Sequence, residues 1–338
     1  MAQLANGLST NNNSSNVVTL EDVRNQLADD IDGMIVDEFR KSSYLFNNLQ
    51  FHRCVTPQGG GSSFTYGYYR MKSLPTAEFR AINEDYAESK ATREKVVVDL
   101  KPFGGAFKID RLLNDAGGLF DEVSFQLEQL IKATKALAHE NIIHGDSAQG
   151  DGKCFDGLDV ALKGSDTEVT CSSDIDLSNL GTDNAMALKF VDAMDEWLAD
   201  LERPSALLMN GKMLAKFRAV ARRMGLYQMT QNNFGQQIDT FMGIPLIDLG
   251  EKSGATIPSL KSTNQVIPIT GGKTDIYAVR FGMDGFHAIT MANKNVIQTW
   301  LPDFSKEGAV KRGEVEMVMG LCLKNTRAAG VLRGITVG

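Results

Sequence analysis

The chain has 338 residues, of which 43% are hydrophobic, so it can fill the core of one elaborate domain or of two ordinary ones. Its formal net charge of -7 at pH 7 argues against a broad basic surface that would bind nucleic acid non-specifically. The widely spaced Cys54, Cys154, Cys171 and Cys322 argue against a zinc ribbon or a disulfide scaffold, and we expect reduced thiols in a cytoplasmic setting.

The first elements in chain order are an arm and a helix. Residues 1–18 are rich in Asn and Ser and are predicted to be disordered, because they cannot bury enough apolar surface to order themselves. Thr19 is a candidate cap for the helix that follows. Apolar residues then recur at four-residue steps, namely Val23, Leu27, Ile31, Ile35 and Phe39.

The hydrophobic period changes to two between Phe51 and Ile109. Phe64, Tyr66 and Tyr68 alternate with smaller or polar residues, which predicts an extended segment, and a second one returns over 96–109. The charged stretch 75–93 between them suits the exposed tip of a long hairpin. Since an isolated two-stranded ribbon is at best marginally stable in water, we expect another chain to support this hairpin.

The stretch 114–145 is predicted to be the longest helix of the chain. Its predicted core of about 24 residues lies between Gly117-Gly118 and Gly145 and would span roughly 36 Å. One apolar stripe runs along it at three- and four-residue intervals, formed by Val123, Leu127, Leu130, Ile131, Thr134, Leu137 and Ala138.

A second compact unit is predicted to begin near Leu177. Thr182 or Asp183 can cap a helix that ends at Pro204, the run 206–209 is a candidate buried strand, and Asn210 can cap the next helix. The inward faces of these two helices are predicted to carry Phe190, Val191, Met194, Trp197, Leu198 and Leu201, and then Met213, Leu214, Phe217, Val220 and Met224. Further strands are predicted over 241–247, 276–281, 286–291, 314–323 and 330–337.

No motif for catalysis or for metal or cofactor binding emerges. His139 and His144 are five residues apart, whereas two histidines that share a metal on a helix lie four apart. His52 and His287 have no acidic partner in the sequence and are interpreted as structural residues. The glycine pairs match neither the P-loop nor the dinucleotide fingerprint, and no nucleophile elbow is present. We therefore predict no catalytic, cofactor-binding or metal residues.

The strongest charge feature is a basic cluster on the predicted second helix of this unit. On an amphipathic helix such a cluster is more often a solvated face or part of a subunit contact than a nucleic-acid site. The cluster consists of Lys212, Lys216, Arg218, Arg222 and Arg223.

This order of elements resembles the major capsid proteins of tailed bacteriophages, which have the Hong Kong 97-type fold. The phrases FDGL at 155–158, behind the long helix, and MGIPLI at 242–247 are similar to that family. The resemblance implies an α+β capsid fold. Its parts would be an N-terminal arm (1–50), an extended hairpin or E-loop (51–110), the P-domain spine helix (111–150), mainly A-domain (151–270) and closing strands of both domains (271–338).

The resemblance implies a structural protein, and not an enzyme, that assembles as pentamers and hexamers into an icosahedral shell around phage double-stranded DNA. The implied partners are other copies of the chain, a portal protein, a scaffolding protein, decoration proteins and DNA bound without sequence specificity, with no cofactor and no membrane. The implied location is the virion, assembled in the host bacterial cytoplasm. Because only about 18 predicted disordered residues precede the first helix, we expect a separate scaffold or an already mature start.

The candidate inter-subunit contacts are Phe64, Tyr66, Tyr68, Tyr69, Arg80, Glu84, Asp85, Arg93, Arg222 and Arg223. Each has the alternative of facing solvent or packing in the hairpin stem. Two alternative functions remain. An encapsulin, a cellular compartment with the same fold, would hold a cargo enzyme instead of DNA. An α/β enzyme or ligand-binding module would instead be a monomer with a deep polar pocket.

Overall fold

A computed structural model gives the fold of most of the chain. The predicted arm over 1–18 and the helix after Thr19 lie outside the described residues, as do the candidate caps Thr182 and Asp183. The described residues are 44–55, 64–116, 122–149, 151–172, 175–178, 180, 184–225, 228–231, 237–252, 265–292 and 294–338.

The described residues form six α-helices and fourteen β-strands. The helices are α1 (Tyr44–Asn48), α2 (Arg111–Ala116), α3 (Glu122–His144), α4 (Leu158–Leu162), α5 (Ala185–Ala199) and α6 (Gly211–Met224), with a short 3-10 helix at Thr326–Ala328. The strands are β1 (Phe51–Val55), β2 (Thr65–Ser73), β3 (Thr92–Asp99), β4 (Lys101–Asp110), β5 (Glu168–Thr170), β6 (Ala206–Met209), β7 (Gln228–Gln231), β8 (Gln237–Phe241), β9 (Ile244–Asp248), β10 (Lys273–Val279), β11 (Phe286–Met291), β12 (Ile297–Trp300), β13 (Val310–Leu323) and β14 (Ala329–Thr336).

These strands form three sheets. The largest has seven strands in the order β5-β14-β10-β6-β9-β8-β7, and it is mixed, since β6 and β9 are parallel whereas β10 and β14 are antiparallel. A five-stranded sheet has the order β1-β11-β13-β12, with β4 also paired to β13. The third sheet contains only β2 and β3. This arrangement confirms the predicted α+β class.

The chain divides into two compact units. Of the described residues, the smaller contains those within 104–131 and 299–316. Within it Phe107 and Val315 are buried, and the amide of Arg111 donates a hydrogen bond of 2.9 Å to the carbonyl of Ala309. The larger contains the described residues within 44–103, 132–298 and 317–338.

The seven-stranded sheet in the larger unit is buried on both faces. Along β6, Leu207 and Met209 lie in the cluster that contains the side chains of α5 and α6, while Ala206 and Leu208 lie in the cluster that contains the end of α3. Strand side chains alternate between faces, so a strand covered on both sides needs a continuous apolar run. This explains why residues 206–209 carry no polar position.

Helices α5 and α6 cover one face of this sheet. Phe190 and Trp197 of α5 and Phe217 of α6 are buried, and the rings of Phe190 and Phe217 meet edge to face with centroids 5.6 Å apart. Helix α5 begins after Asn184, whose side chain makes no capping bond. Helix α6 begins at the predicted cap, because the side chain of Asn210 accepts a 2.8 Å hydrogen bond from the amide of Met213.

The predicted long helix is present as α3, with 23 residues and a length of roughly 35 Å. Helix α2 precedes it as a separate helix, so residues 114–116 do not belong to α3. Of the predicted stripe, Thr134 and Ala138 are buried, whereas the other members are only partly buried. Near the end of the helix, the side chains of His139, Ile142 and Ile143 are also buried.

The segment 155–158 contains a glycine, Gly157, that packs closely against the end of α3. The amide of Gly157 donates a 2.8 Å hydrogen bond to the carbonyl of Gly145. A Cβ atom at position 157 would lie 2.6 Å from the carbonyl oxygen of Asn141 and 2.7 Å from that of Ile143, closer than such atoms approach. Only glycine therefore fits where the chain turns back against the helix.

The segment 241–247, predicted as one strand, contains the end of β8, a two-residue turn and most of β9. Strand β8 ends at Phe241 and β9 begins at Ile244. Met242 and Gly243 between them have positive φ values of 51° and 81°, as a two-residue hairpin turn requires. The apolar character of the run concealed the turn. Strands β5, β7 and β12 are short and were not predicted.

We expect the side chain of Asn210 to make a large contribution to the free energy of unfolding. It has no exposed surface, and besides capping α6 its amide donates to the carbonyl of Ile267 at 3.0 Å and to the hydroxyl of Thr274 at 2.6 Å. We expect Asn210→Ala to lower the free energy of unfolding by about 2 to 3 kcal/mol, measured by urea denaturation. The control Asn325→Ala removes the exposed capping bond of the short 3-10 helix and a surface bond to Glu202, and it should cost about 1 kcal/mol or less. Equal losses would contradict this assignment.

His139 should make the fold sensitive to acid. Burial lowers its pKa from 6.5 to about 4, and its Nε2 has no hydrogen-bond partner. Between pH 6.5 and 4 the unfolded chain binds a proton here that the folded chain does not, so the free energy of unfolding falls as the pH falls. His139→Leu should remove about 3 kcal/mol of this loss at pH 4, measured by denaturation at several pH values. An unchanged pH profile would contradict the prediction.

Candidate inter-subunit surface

The hairpin of β2 and β3 is the candidate contact surface. Its register pairs Tyr66 with Val98, Tyr68 with Val96 and Tyr69 with Lys95. Residues 74–91 connect the strands without regular secondary structure. The hairpin is shorter than the predicted 51–110, because β1 and β4 pair within the five-stranded sheet instead.

Hydrogen bonds anchor the stem of the hairpin to the end of β13. The hydroxyl of Tyr68, which is 9% exposed, donates to the carbonyl of Leu323 at 2.9 Å. Arg70 donates to the same carbonyl through Nη2 at 2.5 Å and to the carbonyl of Lys324 through Nε at 3.2 Å. Burial raises the pKa of Tyr68, so its hydroxyl remains a donor at neutral pH.

Tyr66 extends this anchor toward β1. Its ring stacks on Tyr68 with centroids 6.2 Å apart and meets His52 edge to face at 5.7 Å. The ammonium of Lys324 lies 5.7 Å from the centre of the Tyr66 ring. Tyr66 and Tyr68 were predicted as inter-subunit contacts, and the structure places both against their own chain.

The remaining aromatic candidates are Phe64 and Tyr69, and both are exposed. Tyr69 lies on the outward face of β2 together with Met71, whereas Phe64 precedes the strand. The guanidinium of Arg93 lies 5.0 Å from the centre of the Tyr69 ring. A cation over an aromatic face covers only part of the ring, so an apolar surface remains accessible here.

The tip of the hairpin is formed by residues 74–91. Its side chains are mostly exposed, and its hydrogen bonds join residues within the tip. Phe79 is fully exposed and Ile82 is 90% exposed. The Arg80 guanidinium donates to the carbonyl of Glu84 at 3.1 Å and lies 5.2 Å from the Tyr86 ring centre. Asp85, also a predicted contact, is exposed.

The Arg222 and Arg223 patch lies on the last turn of α6. Arg223 donates to the carbonyl of Leu180 at 2.8 Å, and Arg222 donates through Nε to the carbonyl of Arg218 at 3.3 Å. Arg218 in turn pairs with the buried carboxylate of Asp239 at 2.6 Å. Much of the basic cluster therefore binds groups of its own chain, and both arginines of the patch remain exposed.

Among the described residues, no group of three or more His, Cys, Asp or Glu side chains lies close enough to hold a metal ion. Within the same part of the chain, no helix combines the length and the apolar character needed to cross a bilayer.

Sequence reasoning missed the role of Arg70 and of the two histidines beneath the stem. Arg70 continues the alternation that places Tyr66 and Tyr68 on one face of β2, and this signal was available. His52 and His287 come together only because β1 and β11 pair in parallel, which the sequence does not reveal.

Comparison with solved structures identifies the fold. The encapsulin SrpI of Synechococcus elongatus, solved as a holo complex, superposes with a TM-score of 0.64 at 17% identity, covering 95% of this chain and 97% of that one. The capsid protein of the native GTA particle gives 0.60 at 13% identity over 90% and 94%. The capsid of Myoviridae phage XM1 gives 0.57 at 13% identity over 92% and 97%. No protein-family model and no curated protein matches the sequence.

These similarities cover nearly the whole of this chain and of each matched chain. They confirm that the chain has the Hong Kong 97-like capsid fold predicted from the order of its elements.

Removing the Tyr68 hydroxyl should weaken the fold measurably, although the ring remains. Tyr68→Phe deletes the bond to the Leu323 carbonyl inside an apolar cluster, so we expect a loss of about 1 kcal/mol in the free energy of unfolding by urea denaturation. The matched control is Tyr69→Phe on the exposed side of the same strand, which should change stability by less than about 0.5 kcal/mol. Similar effects of the two changes would mean that the hydroxyl bond contributes nothing.

Proposed function

We propose that the chain is the major capsid protein of a tailed bacteriophage, a structural protein without catalytic activity. It assembles as pentamers and hexamers into an icosahedral shell that encloses double-stranded DNA. The observation that carries this proposal is that a chain with a capsid fold exposes apolar side chains at the tip of its hairpin.

The exposed apolar side chains of the tip would be stabilised by burial against a partner. Burying a large apolar side chain contributes about 1.5 to 3 kcal/mol, and Phe79 and Ile82 contribute almost none of this within their own chain. Tyr86 beside them is 62% exposed. In a soluble protein, a group of such residues marks an interaction site. A second copy of the same chain is always present during assembly, and a head-to-tail contact between copies closes into rings.

The construction of the hairpin suits a contact that must vary between rings of five and rings of six. The stem is fixed by Tyr68 and Arg70, whereas the tip is held by short-range bonds such as that between Ser89 and the carbonyl of Thr76 at 2.9 Å. The tip can therefore change shape without disturbing the core. In this proposal the hairpin is the E-loop and lies over the neighbouring subunit.

The proposal also assigns a role in the shell to each of the other elements. Helix α3 would be the spine of the P-domain, and the seven-stranded sheet with α5 and α6 would form the A-domain near the ring axes. Residues 1–50 would be the N-terminal arm. Arg80, Glu84, Asp85, Arg93 and the Arg222–Arg223 patch are polar contact candidates, and exposed ion pairs of this kind contribute to register more than to affinity.

The acidic balance of the chain supports a container for DNA. With a net charge of -7, the wall would have little overall attraction for a packaged polyanion, which keeps the genome releasable. We propose a portal protein, a separate scaffolding protein and decoration proteins as the further partners of such a shell. The proposed location is the virion, after assembly in the host cytoplasm.

The alternative function is an encapsulin-type compartment that holds a cargo enzyme. The structural similarity to the Synechococcus encapsulin favours it. The contents of shells isolated from the producing cells distinguish the two functions, because DNA would support the phage capsid and an enclosed protein would support the compartment.

Assembly should depend on the hairpin tip. Negative-stain electron microscopy after size-exclusion chromatography should show closed shells or free rings of the full chain. The variant Phe79→Ser with Ile82→Ser should raise the concentration needed for assembly at least tenfold, because it removes several kcal/mol of apolar burial per contact. Its urea midpoint should be unchanged, since both residues are exposed in the single chain.

The matched control for this test is Phe79→Leu, which keeps an apolar side chain and should assemble. A chain that stays monomeric at high concentration with scaffold supplied would overturn the proposed function. Normal assembly of the double serine variant would overturn the role of the tip.

A further inference from the structure

Two histidines lie beneath the stem of the hairpin, and three of their buried ring nitrogens lack a well-formed hydrogen bond. His52 on β1 and His287 on β11 have ring centroids 6.1 Å apart. His287 has no exposed surface, and neither of its nitrogens makes a well-formed hydrogen bond, although the backbone at Gly282 and Gly285 faces the ring. Nδ1 of His52 is also buried without a partner. A buried imidazole in this state is stable only while it is neutral.

The surroundings of the pair are unfavourable to a proton. Lys324, which follows β13, raises the positive potential at His287, and His52 does the same when it is charged. Arg70 of β2 adds a further cation to this cluster, 6.0 Å from the Tyr68 ring centre. The other ionisable groups here are Tyr66 and Tyr68 on β2, Cys54 on β1 and Cys322 on β13.

Burial lowers the pKa of His287 from 6.5 to about 4, and Lys324 acts in the same direction. In a state where the stem has lifted away, water would reach the ring and its pKa would return toward 6.5. A proton would then bind the lifted state more tightly than the docked state. By linkage, acid favours whichever state binds the proton better.

We propose that His287, packed beside His52, forms an acid-sensitive joint, and that protonation of His287 releases the stem of the β2–β3 hairpin from the strands beneath it. Release breaks the bonds of Tyr68 and Arg70 to the carbonyls of Leu323 and Lys324 and exposes Cys322. The rest of the larger unit stays folded. This device is a property of the single chain and does not depend on shell assembly.

The size of the effect follows from the two protonation constants of His287. With a value of about 4 when docked and about 6.5 when released, the equilibrium constant for opening rises roughly thirtyfold between pH 7.5 and pH 5. Below pH 4 both states bind the proton and the gain levels off.

Cys322 provides the readout, because it has no exposed surface and lies in the cluster under the stem. The full chain would be labelled with 4,4′-dithiodipyridine at pH 7.5 and pH 5, and modified peptides would be quantified by mass spectrometry. Each rate is divided by that of the unfolded chain at the same pH. We expect the ratio for Cys322 to rise roughly thirtyfold, while Cys171, buried in the cluster around α5 and α6, stays nearly constant.

Variants separate this joint from general acid unfolding. His287→Phe with His52→Phe keeps ring-shaped side chains and should abolish most of the pH dependence at Cys322. His52→Phe alone, at a partly exposed position, serves if the double variant does not fold, and it should reduce the dependence. His139→Leu is the matched control, since it removes another buried histidine from a different cluster and should leave Cys322 labelling unchanged.

A parallel rise of Cys322 and Cys171 labelling would overturn the proposal, because it would show unfolding of the whole unit. Unchanged pH dependence at Cys322 in the histidine variants would also overturn it.

Discussion

The larger unit depends on one constraint, which is that its seven-stranded sheet must be covered on both faces. Strands β6 and β10 at its centre are apolar at successive positions, so either face left bare would expose a continuous hydrophobic surface. Helices α5 and α6 cover one face, while the end of α3, helix α4 and β11 contribute to the other cluster. The placement of α3, and hence of the turn at Gly157, follows from this requirement.

The hairpin obeys a different constraint. Two strands alone have no hydrophobic core of their own. In this chain only the stem of the hairpin is packed against a core, in the cluster that contains Tyr68, Val96 and Cys322. At the tip, the exposed Phe79 and Ile82 remain without burial. One element is thus divided into a part that the chain stabilises by itself and a part suited to stabilisation by another molecule. That division links the fold to the proposed assembly.

Local patterns predicted much of this structure from the sequence. The helical stripes of α5 and α6, the cap at Asn210 and the apolar run of β6 each reflect interactions within a few residues, and all are present. The order of elements was sufficient to predict the capsid fold. The turn at Met242 and Gly243 was missed because its flanks are apolar. The joint of His52 and His287 could not be predicted, since it depends on strand pairing between positions more than 200 residues apart.

The anchor of the hairpin has a consequence for sequence divergence. Tyr68 and Arg70 donate to the main-chain carbonyls of Leu323 and Lys324, and not to their side chains. A carbonyl is present whatever residue occupies the position, so substitutions at 323 and 324 leave these acceptors in place. The attachment can therefore persist while one of its two partners drifts in sequence, which is one physical way for an architecture to outlast recognisable identity.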